Sequence, residues 1–115
     1  MKKISIRQAR VGDLLKETLA EMIQRKVKDP RVQGITITDV DVSVDLKSAH
    51  VFFCLWDAQQ KTEALDGLNS AEGFLRHALK KVLRIKNIPS LKFIYDDSFD
   101  YGAKIDDILN DIHKP

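Results

Sequence analysis

Cysteine, glycine, proline and aromatic residues are all scarce in this chain of 115 residues, and each scarcity excludes something. The single cysteine, Cys54, has no partner for an internal disulfide, and no Cys/His pairs stand at zinc-ligand spacing. A reducing compartment is the economical expectation, and it points to the cytoplasm. The five glycines are scattered and form no G-x-x-x-x-G-K-[ST] or G-x-G-x-x-G phosphate loop. H-E-x-x-H and G-x-S-x-G are missing too, so no catalytic framework is present and neither enzyme chemistry nor a cofactor is expected. No apolar run approaches the roughly 20 residues of a membrane-spanning helix. The start, Met1-Lys2-Lys3-Ile4-Ser5, is basic but is followed by Arg7 and Arg10 rather than by an apolar signal core.

What remains has the composition of an ordinary globular protein, 43% hydrophobic and 31% charged, and its length suits one domain over residues 1–115. The net charge of +2 conceals strong segregation. Residues 1–31 hold nine Lys/Arg against four Asp/Glu, and residues 73–92 hold six basic residues and no acidic one. Segments 32–72 and 93–115 are both net acidic. Such blocks predict a two-sided molecule with one basic face, the footprint of a phosphate-backbone partner.

Val11, Leu14, Leu15, Leu19, Met22, Ile23 and Val27 recur at helical spacing, predicting a helix from about Ser5 to about Lys28. Ser5 and Gln8 form a capping box, and Asp29-Pro30 supplies the stop. Ile35 to Val44 alternates as a strand, with a shift of apolar phase near Thr38-Asp39 that a β-bulge would repair. After the polar turn Asp45–Ser48, Ala49 to Trp56 is a second strand pairing with the first as a hairpin. Two short helices are expected next, Lys61–Asn69 and Phe74–Leu83, joined by Ser70-Ala71-Glu72-Gly73. Leu91, Phe93 and Tyr95 then mark a third strand, and Tyr101, Ile105, Ile108, Leu109 and Ile112 an acidic C-terminal helix. A strand reached through a helical crossover makes the fold α+β, a three-stranded mixed sheet packed by helices.

The basic residues of the Phe74–Leu83 helix are the main functional candidates. Arg76, Lys80 and Arg84 follow i, i+4, i+8, with His77 and Lys81 on the adjoining row and no carboxylate among them. With Lys86 and the N-terminal cations Arg7, Arg10 and Arg31, they could meet successive RNA phosphates, giving affinity and salt dependence rather than sequence reading. Phe52 and Trp56 on the second strand could stack on bases, but a sheet flanked by amphipathic helices is expected to bury them, with Cys54, as core. The histidines His50, His77 and His113 fall on three separate elements and make no general-base constellation. Asp96-Asp97 and Asp106-Asp107 read as capping and solvated residues, because adjacent side chains diverge too far to share a metal.

The order α-β-β-α-α-β resembles the type II K-homology arrangement. More specifically, the chain resembles the ribosome-binding factor A family along almost its whole length. The resemblance rests on Arg10-Val11, Lys28-Asp29-Pro30-Arg31, Asp45-Leu46 with Ala49, Ala71-Glu72-Gly73-Phe74-Leu75-Arg76, Ile88-Pro89-Ser90-Leu91 and Tyr95-Asp96-Asp97-Ser98. Ala71 and Gly73 match that family's Ala-x-Gly helix kink in place of the G-x-x-G clamp of ordinary K-homology domains. The resemblance implies binding to the immature small (30S) ribosomal subunit and its 16S rRNA, and help with 5′-end maturation. It also implies importance at low temperature and release by a ribosome-associated GTPase, and the domain is expected to act as a monomer. A protein-binding adaptor of the same fold, docking a partner through its acidic C-terminal helix, is the alternative.

Overall fold

The computed structural model describes residues 4–98, so the expected C-terminal helix around Tyr101–Ile112 lies outside the described residues. Helix α1 spans Ile6–Lys26, within the predicted limits. Its N-terminus is closed by the expected capping box: Gln8 N–H donates to Ser5 Oγ (3.1 Å), and Ser5 N–H donates to Gln8 Oε1 (3.0 Å). Gln8 is itself buried, and its Nε2 donates to the carbonyl of Val42 at 3.0 Å. The one amide thus caps the helix and ties it to the sheet, which offsets the cost of burying it. Leu15, Leu19, Met22 and Ile23 form the buried stripe, and Arg25 and Lys26 in the last turn suit the negative end of the helix dipole.

Strand β1 (Ile35–Val42) begins after Gly34, whose φ of +79° lies in the region that favours glycine. It pairs antiparallel with β2 (Ser48–Leu55), and the register shifts between Ile37 and Asp39. Thr38 is the extra residue. The bulge lets Ile35 and Ile37 share the buried face with Val40 and Val42 despite their opposite phase. At the hairpin, Asp45 Oδ1 accepts from Ser43 Oγ (2.7 Å) and from Lys47 N–H (3.0 Å), holding a turn in which Leu46 adopts φ 61°.

Two expectations need correction. Lys61–Val82 is a single helix, α2, running unbroken through Ser70–Gly73. Ser, Ala and Glu all tolerate helix, and one glycine costs only about 1 kcal/mol against alanine, too little to stop a helix held by packing. Gly73 has no positive φ, and a β-carbon there would meet nothing within 4 Å, so no close approach constrains it. Because the helical period runs on through residues 70–73, Leu75, Ala78 and Leu79 are buried while Phe74 and Val82 are exposed.

The three-stranded mixed sheet is as expected, and the second correction concerns the aromatic residues on its outer face. β3 (Ser90–Tyr95) lies parallel to β2, giving the order β1-β2-β3 with β2 central. The paired residues Val40, Val51 and Phe93 and their neighbours Ile37 and Phe53 pack with Leu15 and Leu19 of α1 and Leu68, Leu75 and Leu79 of α2 in one core. Both helices therefore cover the same side. The other face of the sheet is open among the described residues: Phe52 and Cys54 are half-buried, Ile94 and His50 are exposed, and Trp56 is fully exposed. These aromatics are not core residues, since no third helix covers them among the described residues.

Candidate nucleic-acid interface

Arg76, His77, Lys80, Lys81, Arg84 and Lys86 are all exposed, on the C-terminal half of α2 and the segment that leaves it. The segment 83–89 turns back beneath the helix, with Leu83 and Pro89 buried, because β3 must start beside β2. Arg76 is held to this segment. Its Nη2 donates to the carbonyl of Ile88 (3.3 Å) and its Nε lies 3.6 Å from Glu72 Oε1. Glu72 Oε1 in turn accepts from Leu91 N–H at 3.2 Å, so one carboxylate fastens α2 to the first residues of β3. Sequence patterning places Glu72 only in the joint expected between two helices; this link to a residue 19 positions away is invisible to it.

Between helix and return segment lies a cleft of about 280 Å³ lined by Arg76, His77, Lys80, Lys86, Asn87 and Ile88. A second cleft, of about 320 Å³, is walled by Arg7 and Val11 of α1, by Asp45–Lys47 of the hairpin, and by Arg84 to Asn87. Lys86 and Asn87 border both. A cationic band therefore runs from the outer face of α2 to the N-terminus of α1, joining Arg7 to residues almost 80 positions away in sequence. Lys47 belongs to this band, although sequence reasoning gave it only a turn position. Its one lining carboxylate, Asp45, is occupied by the Ser43 hydroxyl and the Lys47 N–H, which hold its pKa below the usual carboxylate value.

Three expected site residues do not line either cleft. Lys81 and Arg10 are exposed on the flanks of the band. Arg31 stands apart, beside Gly67 in the first half of α2. Its guanidinium grips Asp29, with Nη2–Oδ2 at 2.6 Å and Nε within 3.1 Å of both carboxylate oxygens. The side-chain hydrogen bonds lower the Asp29 pKa and raise that of Arg31. This pair closes the turn that stops α1, and its charge is largely answered within the protein.

Among the described residues no group of His, Cys, Asp or Glu could hold a metal ion, and no helix is long and apolar enough to cross a membrane. The band offers guanidinium and ammonium donors and one amide, which suits it to phosphates and carbonyl edges rather than to bond-making chemistry.

Fold and band together define a small α+β domain of the type II K-homology kind with one cationic side. The model of the family described as ribosome-binding factor A matches residues 7–109, and the chain belongs to that family, one of ribosome-binding factors and not of enzymes. Ribosome-binding factor A of Syntrophobacter fumaroxidans is 46% identical over 111 residues, covering 94% of this chain and 95% of that protein. The crystal structure of ribosome-binding factor A from Thermus thermophilus superposes with a TM-score of 0.70 at 31% identity, covering 76% of this chain and 93% of that one. A homology model of the Thermus thermophilus factor, fitted into a cryo-EM map of a complex of the 30S subunit with that factor, gives a TM-score of 0.64. Its identity is 30%, and the match covers 75% of this chain and 91% of that one.

Proposed function

We propose that this protein binds the immature small ribosomal subunit by laying its cationic band along folded 16S rRNA, and that it assists late subunit assembly. The observation that carries the reading is the continuity of the two clefts through Lys86 and Asn87, in a chain of this family. Arg76, His77, Lys80, Arg84, Lys86, Arg7 and Lys47 meet phosphates, with Arg10 and Lys81 flanking them. Strength is then electrostatic and selectivity comes from the shape of the RNA surface, since no glycine-lined clamp grips a single strand. Support for 5′-end maturation of 16S rRNA, for a need at low temperature and for release by a ribosome-associated GTPase comes from the family. On this reading the protein works in the cytoplasm as a monomeric single domain over residues 1–115.

Co-sedimentation with purified small subunits across a salt series tests the proposal. Contact with RNA phosphates gives binding that falls steeply and log-linearly with salt. Binding that is indifferent to salt, retained by a single purified ribosomal protein, would instead make this domain a protein-docking adaptor.

A further inference from the structure

The two clefts share a cationic rim and differ in their floors. Among the described residues the first has one apolar lining side chain, Ile88, whereas the second has Val11, Leu46, Ile85 and Pro89. A phosphate calls for donors and water and gains nothing from aliphatic side chains; an unstacked base is held by apolar contacts on its faces and by hydrogen bonds at its edge. Val11, Leu46 and Ile85 pack on the core yet stay half-buried, so part of each is left to the cleft. The walls are tied together as well. Gln8 Nε2 joins α1 to the base of the hairpin at the Val42 carbonyl, and Ser90 N–H donates to the Lys47 carbonyl at 2.9 Å, joining the hairpin to the return segment. A cleft held open in this way spares its ligand the cost of ordering it. Leu46 adds a further sign. Its φ of 61° lies in the left-handed region, where glycine or asparagine is easier than leucine. The turn alone would be better served by either, whereas the leucine supplies a wall of the cleft.

We propose that the second cleft takes one unstacked nucleotide of the RNA, its base seated on the floor at Leu46 and Ile85, its edge met by the Asn87 amide and its flanking phosphates by Arg7 and Arg84. At about 320 Å³ the cleft falls at the small end of ligand sites, which run from roughly 300 to 1,000 Å³, and it admits a single base rather than a helix. Asn87 is the one lining side chain of this cleft, among the described residues, that donates and accepts at once, as a base edge requires. None of the walls belongs to Ala71–Gly73, the place of the clamp in ordinary K-homology domains. The inference rests on the RNA-binding reading and adds to it what the band selects, a bulge or loop in preference to an unbroken duplex.

Three RNA hairpins serve as probes: one with a fully paired stem, one with a single bulged adenosine in the same stem, and one with an abasic residue in that bulge. The full chain binds the bulged hairpin about tenfold more tightly than the paired one, a difference of ~1.4 kcal/mol, and binds the abasic bulge no better than the paired stem. Leu46→Asn suits the left-handed turn while making the floor polar, and brings the ratio of bulged to paired affinity close to one. Asn87→Ala, at an exposed position, lowers that ratio about threefold, the effect of one hydrogen bond. Far-ultraviolet dichroism checks that each variant is folded at the assay temperature. A parent ratio near one, an abasic bulge bound as tightly as the intact one, or a full ratio kept by folded Leu46→Asn overturns the proposal. Salt-dependent binding of small subunits then leaves the phosphate band standing. Failure to bind any hairpin overturns it too, and if small subunits are not bound either, the RNA-binding reading falls with it. Adenosine 5′-monophosphate bound as tightly as the bulged hairpin also overturns it, since the ligand is then a free nucleotide.

Discussion

Arginine stands beside both ends of α2, and it is used differently at each. At the N-terminal half Arg31 reaches in from the turn after α1, gripped by Asp29 and packed against the bare backbone of Gly67. At the C-terminal half Lys80, Arg84 and Lys86 have no carboxylate partner among the described residues and border open clefts. A cation answered by a neighbouring carboxylate stabilises a turn; a cation left unanswered at the rim of a cleft is available to a ligand. Residue type alone does not separate the two, but the company each arginine keeps does.

The contrast can be broken most severely at the cleft rim. Lys86→Glu, which alters the wall shared by both clefts, is expected to weaken subunit binding far more than Lys81→Glu, which lines neither. Removal of a phosphate contact lowers the log–log salt slope by about 1, and reversal by more. Neither variant shifts the midpoint of denaturant unfolding appreciably, because both side chains are exposed. An equal loss from both substitutions means that only overall charge matters.

At the other end the expected effect is on stability alone. A β-carbon on Gly67 would stand 2.9 Å from Val32 Cγ1 and 3.0 Å from Arg31 Cβ. Gly67→Val therefore overpacks the contact of α2 with the turn and costs about 1–3 kcal/mol, measured by urea titration, while subunit affinity is kept. Gly73→Ala goes the opposite way, stabilising by about 0.5–1 kcal/mol, because the position is an open helical site. Loss of stability in Gly73→Ala would mean that a bend there is needed after all.

The smallest effect concerns acid. The Asp29 pKa lies below its unfolded value, lowered by the side-chain and backbone hydrogen bonds of Arg31. A depressed carboxylate contributes stability that is present above the unfolded value, near 3.8, and is lost as pH falls through the folded one. Asp29→Asn should therefore lower the thermal midpoint at about pH 6 slightly and narrow its difference from the parent as pH drops below about 4. A constant difference across that range would remove the pair from the account.

Much of the fold was legible because its signals are local. The Ser5–Gln8 box, the stop at Asp29-Pro30 and the phase shift at Thr38 each appear within a few residues, and each is found where expected. The row Arg76–Lys80 was readable for the same reason, but α2 ends at Val82, so Arg84 leaves the helical stripe and lines the second cleft instead. Three things were not. Helix continuity through Gly73 depends on packing that outweighs one poor helix former, a tertiary effect. The exposure of Trp56 depends on both helices choosing one side of a sheet whose central strand is partly apolar on both faces. The joining of Arg7 and Lys47 to Arg84 and Lys86 requires the hairpin, α1 and the return segment to meet, which no short spacing encodes.

The central claim is that the cleft-lining cations, and not basic residues in general, hold the ribosomal subunit. It is tested most directly by measuring the affinity of Lys80→Glu/Arg84→Glu and of Arg31→Glu for purified small subunits, side by side with the parent at one low salt concentration. The account predicts that the cleft pair abolishes binding with its unfolding midpoint unchanged, whereas Arg31→Glu unfolds earlier yet binds as the parent does while folded. Undiminished binding by the folded cleft pair, or a loss in Arg31→Glu as deep as in the pair, would contradict it.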